Sequence, residues 1–121
     1  MVCVSLVNLE KLNLANNKFM AESLESIRNL KQLKVLDIRN NNLTDEAIKH
    51  ISELKSLCDL SCSKNSLTDL SASYLSNLSN LTYLDITNNQ LTSVSTAHLS
   101  RLEKVSHLYL MSNKLSKDGI I

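Results

Sequence analysis

Leu81 to Leu91 reads LTYLDITNNQL, and the same pattern recurs 24 residues before it and 24 residues after it. Leu9 to Phe19 is LEKLNLANNKF, Leu33 to Leu43 is LKVLDIRNNNL, Leu57 to Leu67 is LCDLSCSKNSL and Val105 to Leu115 is VSHLYLMSNKL. Each starts 24 residues after the previous one, so five copies of L-x-x-L-x-L-x-x-N-x-L run in register through 121 residues. Self-similarity at a fixed period of this length is the signature of an array of stacked supersecondary units.

The chemistry of each column explains the pattern. The fourth and sixth positions hold Leu12/Leu14, Leu36/Ile38, Leu60/Cys62, Leu84/Ile86 and Leu108/Leu110. Apolar residues two apart lie on one face of a strand, here the inward one. Three residues further on come Asn17, Asn41, Asn65, Asn89 and Asn113, where the chain must turn off the strand. A short amide is both donor and acceptor, so it can pair backbone groups of its own turn and of the next. Stacked along the array, these asparagines should form a structural ladder.

The remainder of each period reads as a short helix. Thr44, Thr68, Thr92 and Ser116, joined by Asp45 and Asp69 in two turns, offer N-cap chemistry, and Met20 interrupts that column. The sets Leu24/Ile27/Leu30, Ile48/Ile51/Leu54, Ala72/Leu75/Leu78 and Thr96/Leu99/Leu102 form an inward stripe. Strands stack ~4.8 Å apart whereas packed helices need ~10 Å. The array must therefore curve, with its strands on the concave side.

On these residues the chain resembles the leucine-rich repeat family over essentially its whole length. The resemblance implies a right-handed α/β solenoid with a parallel sheet on the concave side and short helices on the convex side. Residues 1–121 would form a single domain with strand-loop cores at 9–19, 33–43, 57–67, 81–91 and 105–115. The repeat tails N-x-L-T-D-x-A-I (Asn41 to Ile48) and N-x-L-S-K-D-G-I (Asn113 to Ile120) are similar to the ribonuclease-inhibitor-like and GALA-type classes. GALA-type repeats occur in bacterial effectors acting inside host cells. The family's usual work is to bind another protein.

Composition narrows the function. Thirteen Lys and Arg against twelve Asp and Glu give a net charge of +1, without the basic excess that duplex or membrane binding asks for. No run of apolar residues is long enough to span a bilayer. The only glycine is Gly119 and there is no proline, so no glycine-rich loop can cradle a phosphate. The first residues lack the charged and apolar regions of a signal peptide, and the three cysteines are too few for a disulfide framework. These features point to an intracellular, cytoplasmic setting, or to a host cytosol for a secreted effector. Neither end carries a capping sequence, and Leu108, Leu110 and Leu115 have no following turn to cover them. The chain is thus expected to be a fragment of a longer array, with its uncapped ends open to self-association.

The expected binding surface is the outward side of the strands: Lys11, Asn13, Val35, Asp37, Arg39, Asp59, Ser61, Tyr83, Asp85, Thr87, His107, Tyr109 and Met111, with Ala15 and Ser63 also outward. Four acids (Glu10, Asp37, Asp59, Asp85) and four bases (Lys11, Lys34, Arg39, Lys64) make it a mixed surface, suited to a protein and not to a polyanion. Tyr83, His107, Tyr109 and Met111 should cluster as an anchoring patch, since tyrosine and methionine bury much area at low entropic cost.

Other constellations carry less. Cys58 and Cys62 lie about 13 Å apart along a strand, beyond disulfide or shared-metal reach. Cys62 reads as a small core residue, Cys58 as outward on the concave face, and Cys3 lies two turns away. His50 and His98 share a convex column about 20 Å apart, with Tyr74 between them. Serines away from the strands read as solvated. Asn42, Asn77 and Asn80 open glycosylation sequons that matter only in a secreted protein. No catalytic set, cofactor or metal is expected, and the partner is a protein rather than nucleic acid or membrane. Two alternatives stay open: a recognition domain of an enzyme whose catalytic domain lies elsewhere, and a self-associating structural stack.

Overall fold

A computed structural model of the chain describes residues 6–19 and 21–115. Five strands, β1 (Lys11–Asn13), β2 (Val35–Asp37), β3 (Asp59–Ser61), β4 (Tyr83–Asp85) and β5 (His107–Tyr109), form one sheet in sequence order. Every neighbouring pair is parallel, and every register offset is one repeat: Leu12 pairs with Leu36, Leu36 with Leu60, Leu60 with Leu84 and Leu84 with Leu108. The strands are only three residues long because the ladder then continues through the turn. Leu14, Ile38, Cys62 and Ile86 each donate their N–H to the next repeat, at 2.8 to 3.0 Å.

On the opposite side lie a 3₁₀ helix (Ala21–Asn29) and three α-helices, α1 (Asp45–Ile51), α2 (Asp69–Leu75) and α3 (Ser95–Leu99). The first convex element is thus wound more tightly than an α-helix. Its apolar residues fall at every third position (Leu24, Ile27, Leu30), which suits three residues per turn, and Ala21 stands where α1 and α2 begin with aspartate. Met20, expected to loosen that helix entry, lies outside the described residues.

The core is the layer between sheet and helices. Leu36, Leu60, Leu84 and their column partners Ile38, Cys62 and Ile86 are buried, as are Ile48, Ile51, Leu54, Leu75, Leu78, Leu99 and Leu102 from the convex side. These residues form one continuous cluster. At the last strand the cover thins: Leu108 is 40% exposed, whereas Leu84, one turn earlier, is fully buried.

The asparagine ladder is built as its chemistry requires. The Asn65 side-chain oxygen accepts from the backbone N–H groups of Asn41 (3.0 Å) and Leu43 (2.9 Å) in the preceding turn. Its amide donates to the carbonyls of Ile38, Cys62 and Ser63 at 3.0 to 3.2 Å. Asn41 repeats this arrangement against Asn17 and Phe19. Asn89 and Asn113 accept from Leu67 and Leu91, each at 3.0 Å. Among the described residues no buried side-chain nitrogen or oxygen lacks a partner.

Immediately before each ladder asparagine the backbone turns left-handed: φ is 62° at Asn16, 55° at Asn40, 56° at Lys64, 55° at Asn88 and 59° at Ser112. Asparagine tolerates this region through local hydrogen bonding, and lysine has no such compensation. Lys64→Asn is therefore expected to stabilise the fold by about 0.5–1 kcal/mol, seen as a higher urea midpoint. An unchanged or lower midpoint would show that position 64 carries no such strain.

Two sequence expectations need correction. Asp45 and Asp69 serve chiefly as clamps to the following turn, and their cap role on their own helices is secondary. The Asp45 carboxylate accepts from Thr68 N–H (2.9 Å), the Thr68 hydroxyl and the Ser71 hydroxyl. Asp69 does the same for Thr92 N–H (2.8 Å), the Thr92 hydroxyl and the Ser95 hydroxyl. Ser71 and Ser95 are consequently buried, not solvated. Thr68 and Thr92, oriented by these carboxylates, accept from Leu70 and Val94 N–H at 3.4 and 3.3 Å. Thr44 has Ala21 in place of such a carboxylate and makes no side-chain cap bond. Ser116 lies outside the described residues. The second correction is Ser63, expected outward but only 5% exposed. Its short side chain stands between the longer Arg39 and Thr87 of the same column.

Candidate functional site

The outward positions of β1 to β5 and the residues following them make a continuous face in which side chains from successive turns stand side by side. The register sets two rows: Lys11, Val35, Asp59, Tyr83, His107 and Asn13, Asp37, Ser61, Asp85, Tyr109. Lys11, Asn13, Arg39, His107, Tyr109 and Met111 are exposed, and Val35, Asp37, Asp59, Ser61, Tyr83, Asp85 and Thr87 are half-buried.

The aromatic residues meet. The Tyr83 ring centroid lies 5.5 Å from that of Tyr109 and 6.1 Å from that of His107, with tilted planes in both pairs. These separations fall within the range in which aromatic pairs attract beyond their area burial. Tyr83 is the centre of the group, and both of its ring partners come from β5. Met111, at 76% exposure, is the most open large apolar residue described.

Part of the second row has a local duty that the sequence pattern concealed. Asn13, Asp37 and Asp85 each accept from the backbone N–H two residues on, those of Ala15 (2.9 Å), Arg39 (3.1 Å) and Thr87 (3.0 Å). Such turns pin the exit from the strand. Only the remaining acceptor capacity of these side chains is free for a ligand. A recurring Asn or Asp two residues after an outward position, just before a turn, is the signal that could have exposed this.

The charges are less evenly mixed than a count suggests. Arg39 sits on Asp37 at 3.2 Å and Lys34 on Glu10 at 3.8 Å, both toward the first turns. In the middle turns Asp37, Asp59 and Asp85 follow one another diagonally. Burial pushes the Asp59 carboxyl above its usual range, and the Asp37 charge adds to that. Burial likewise raises the Tyr83 hydroxyl, with Asp85, Tyr109 and Asp59 contributing in the same direction.

Elsewhere, Cys62 is a buried core residue whose thiol is pushed far up by burial and then by the charges of Asp85 and Asp37. Cys58 is half-buried, its thiol donating to the Ser56 carbonyl at 3.4 Å. Cys3 lies outside the described residues. Among the described residues no group of three His, Cys, Asp or Glu side chains could hold a metal ion. No helix among them is long and apolar enough to cross a membrane. A polar hollow of about 440 Å³ on the convex side is bordered by Glu22, Arg28, Lys31 and Glu53, with Arg28 paired to Glu53 at 2.9 Å.

Comparison with known proteins agrees with this architecture. Family models described as leucine-rich repeat match residues 55–115, 8–30 and 30–52. No curated protein sequence matches significantly. Among solved structures, an internalin of Listeria monocytogenes superposes with a TM-score of 0.84 at 31% identity, covering 94% of this chain and 32% of the internalin chain. Internalin C2 of the same organism gives 0.67 at 23% identity, over 95% of this chain and 57% of that one, a likeness of fold. The leucine-rich repeat ectodomain of the Arabidopsis receptor kinase HAESA, solved in complex with an N-terminally extended IDA peptide hormone ligand, gives a TM-score of 0.70 at 28% identity. That alignment covers 93% of this chain and 19% of the ectodomain chain. The chain thus spans less than two thirds of the length of each of these three structures.

Proposed function

Because the chain belongs to the leucine-rich repeat family, we propose that it works by binding a protein or peptide along its strand face, with Tyr83, His107, Tyr109 and Met111 as the anchor. The observation that carries this reading is the ring cluster centred on Tyr83, presented outward on a rigid sheet where the fold has no need of it. Clustered aromatics on a preorganised surface bury area on binding without much loss of side-chain freedom. The peptide hormone on the HAESA ectodomain supports the same kind of occupant here.

A comparative pull-down tests the proposal. Wild type, the Tyr83→Ser/Tyr109→Ser variant and a convex-face control, Lys49→Glu, are used as baits after circular dichroism has shown all three folded. The expected result is a retained protein whose affinity falls about tenfold or more in the tyrosine variant, since two anchor positions are worth at least ~1.4 kcal/mol. The control should bind like wild type. Loss in the control with retention by the tyrosine variant would place the partner on the convex side and refute the proposal.

A further inference from the structure

The register sets two carboxylate–tyrosine pairs in a stagger across the last three strands. Asp59 stands beside Tyr83 across β3 and β4, and Asp85 stands beside Tyr109 across β4 and β5. Tyr83 and Asp85 project from the same side of β4, two residues apart, and the two tyrosine rings are within 5.5 Å. Each carboxylate therefore borders an aromatic ring.

Two of the four bases of this face are paired elsewhere. Arg39 holds Asp37 and Lys34 holds Glu10. Among the described residues, no Lys, Arg or His is paired with Asp59 or Asp85. Asp85 spends one oxygen on Thr87 N–H. Asp59 is half-buried, and both its burial and its neighbour Asp37 work against its charge. A carboxylate in that position is stabilised by an incoming cation, and a tyrosine face attracts the same cation through its quadrupole. An anionic segment meets two carboxylates without an ion-pair partner here, and a purely apolar one would cover Asp59 without supplying a counter-charge, which is costly.

Resting on the strand-face reading above, we propose that the partner offers an extended segment bearing lysine or arginine, whose cationic head lodges among Tyr83, Tyr109, Asp59 and Asp85. Charge complementarity selects that occupant, and the tyrosines supply the buried area. Arginine suits this site better than lysine, because its planar head can stack on a ring while its edge donates to a carboxylate.

A random peptide library displayed on phage is selected on the wild-type chain, and recovered sequences are synthesised. Their binding is measured by calorimetry against wild type, Asp59→Asn/Asp85→Asn and Tyr83→Ser/Tyr109→Ser. Asparagine keeps the size of both side chains and keeps an oxygen for Thr87 N–H. The expected outcome is enrichment of Lys and Arg, with affinity falling about tenfold in the asparagine variant and weakening further with salt. Peptides without basic residues, or basic ones that bind the asparagine variant as tightly as wild type, overturn the proposal. If such peptides still lose affinity for the tyrosine variant, the broader strand-face reading survives on its own. Peptides indifferent to both variants refute both. A selection that returns no binding peptide also overturns the basic-segment proposal, and the pull-down then tests the broader reading alone.

Discussion

Asn65→Ala should cost about 4 kcal/mol of folding stability, a large share of the roughly 5–15 kcal/mol typical of a domain. The side chain makes five hydrogen bonds, two received from the turn before it and three donated, one of them to that same turn. Truncation leaves the N–H groups of Asn41 and Leu43 buried and unpaired, and each such orphan costs ~1–3 kcal/mol. Asn65→Asp separates the two halves of the role. It keeps the acceptor but turns a negative charge towards three carbonyl oxygens, so a loss of comparable size is expected. Asn113→Ala, in the last described turn, removes an acceptor for Leu91 alone and should cost about half as much. Urea unfolding followed by circular dichroism reads all three. If Asn65→Ala lowered stability by less than about 1 kcal/mol, the ladder would be ornamental and neighbouring groups would be repairing it.

Asp45→Ala is the second large effect, expected at roughly 2–4 kcal/mol. The carboxylate accepts from Thr68 N–H, the Thr68 hydroxyl and the buried Ser71 hydroxyl, all in the following turn. The same bonds give the clamp a pH dependence. Burial by itself would raise the Asp45 and Asp69 carboxyls, but the hydrogen bonds from Ser71 and Thr68, and from Ser95 and Thr92, outweigh it and hold both below the ordinary value of 3.8. A folded-state value below the unfolded one means that the unfolded chain takes up protons first as the medium is acidified. The clamps therefore contribute fully above the ordinary carboxylate range, and their contribution fades as pH falls below it. Asp45→Asn/Asp69→Asn should be less stable than wild type at pH 7, and the gap should narrow towards pH ~2. A gap that stayed constant with pH would mean that the charge of these groups contributes nothing and that only their shape matters.

These two sets of interactions divide what was legible from what was not. The ladder could be read from the chain because one residue type recurs at one column, and because a turn leaving a strand needs both a donor and an acceptor. The clamp occurs in only two turns, and Thr-Asp at a helix start has a ready local meaning as a cap. Its true partner lies 23 to 26 residues away. The buried serines Ser71 and Ser95 were the missing half of the signal, since a hydroxyl buried beside the inward apolar stripe asks for an acceptor. The left-handed residues before each ladder asparagine were equally visible in principle, at Asn16, Asn40 and Asn88, but Lys64 and Ser112 broke the column.

The strand face shows the same division. Which side chains point outward follows from the two-residue period of a strand, and the aromatic cluster followed from placing Tyr83, His107 and Tyr109 on adjacent turns. A period assigns a side but not an occupation. Only the folded chain decided that Asp37 is shared between Arg39 and a turn, that Ser63 is buried, and that Asp59 and Asp85 stand beside tyrosines with no ion-pair partner among the described residues. By itself the sequence determined the 24-residue repeat, the parallel sheet, the inward columns and the asparagine ladder, because each is a periodic pattern answering a backbone need that recurs in every turn. Tertiary structure alone decided the non-periodic choices, since these depend on which particular side chains the stacking brings together. A repeat pattern is blind to the differences between one turn and the next.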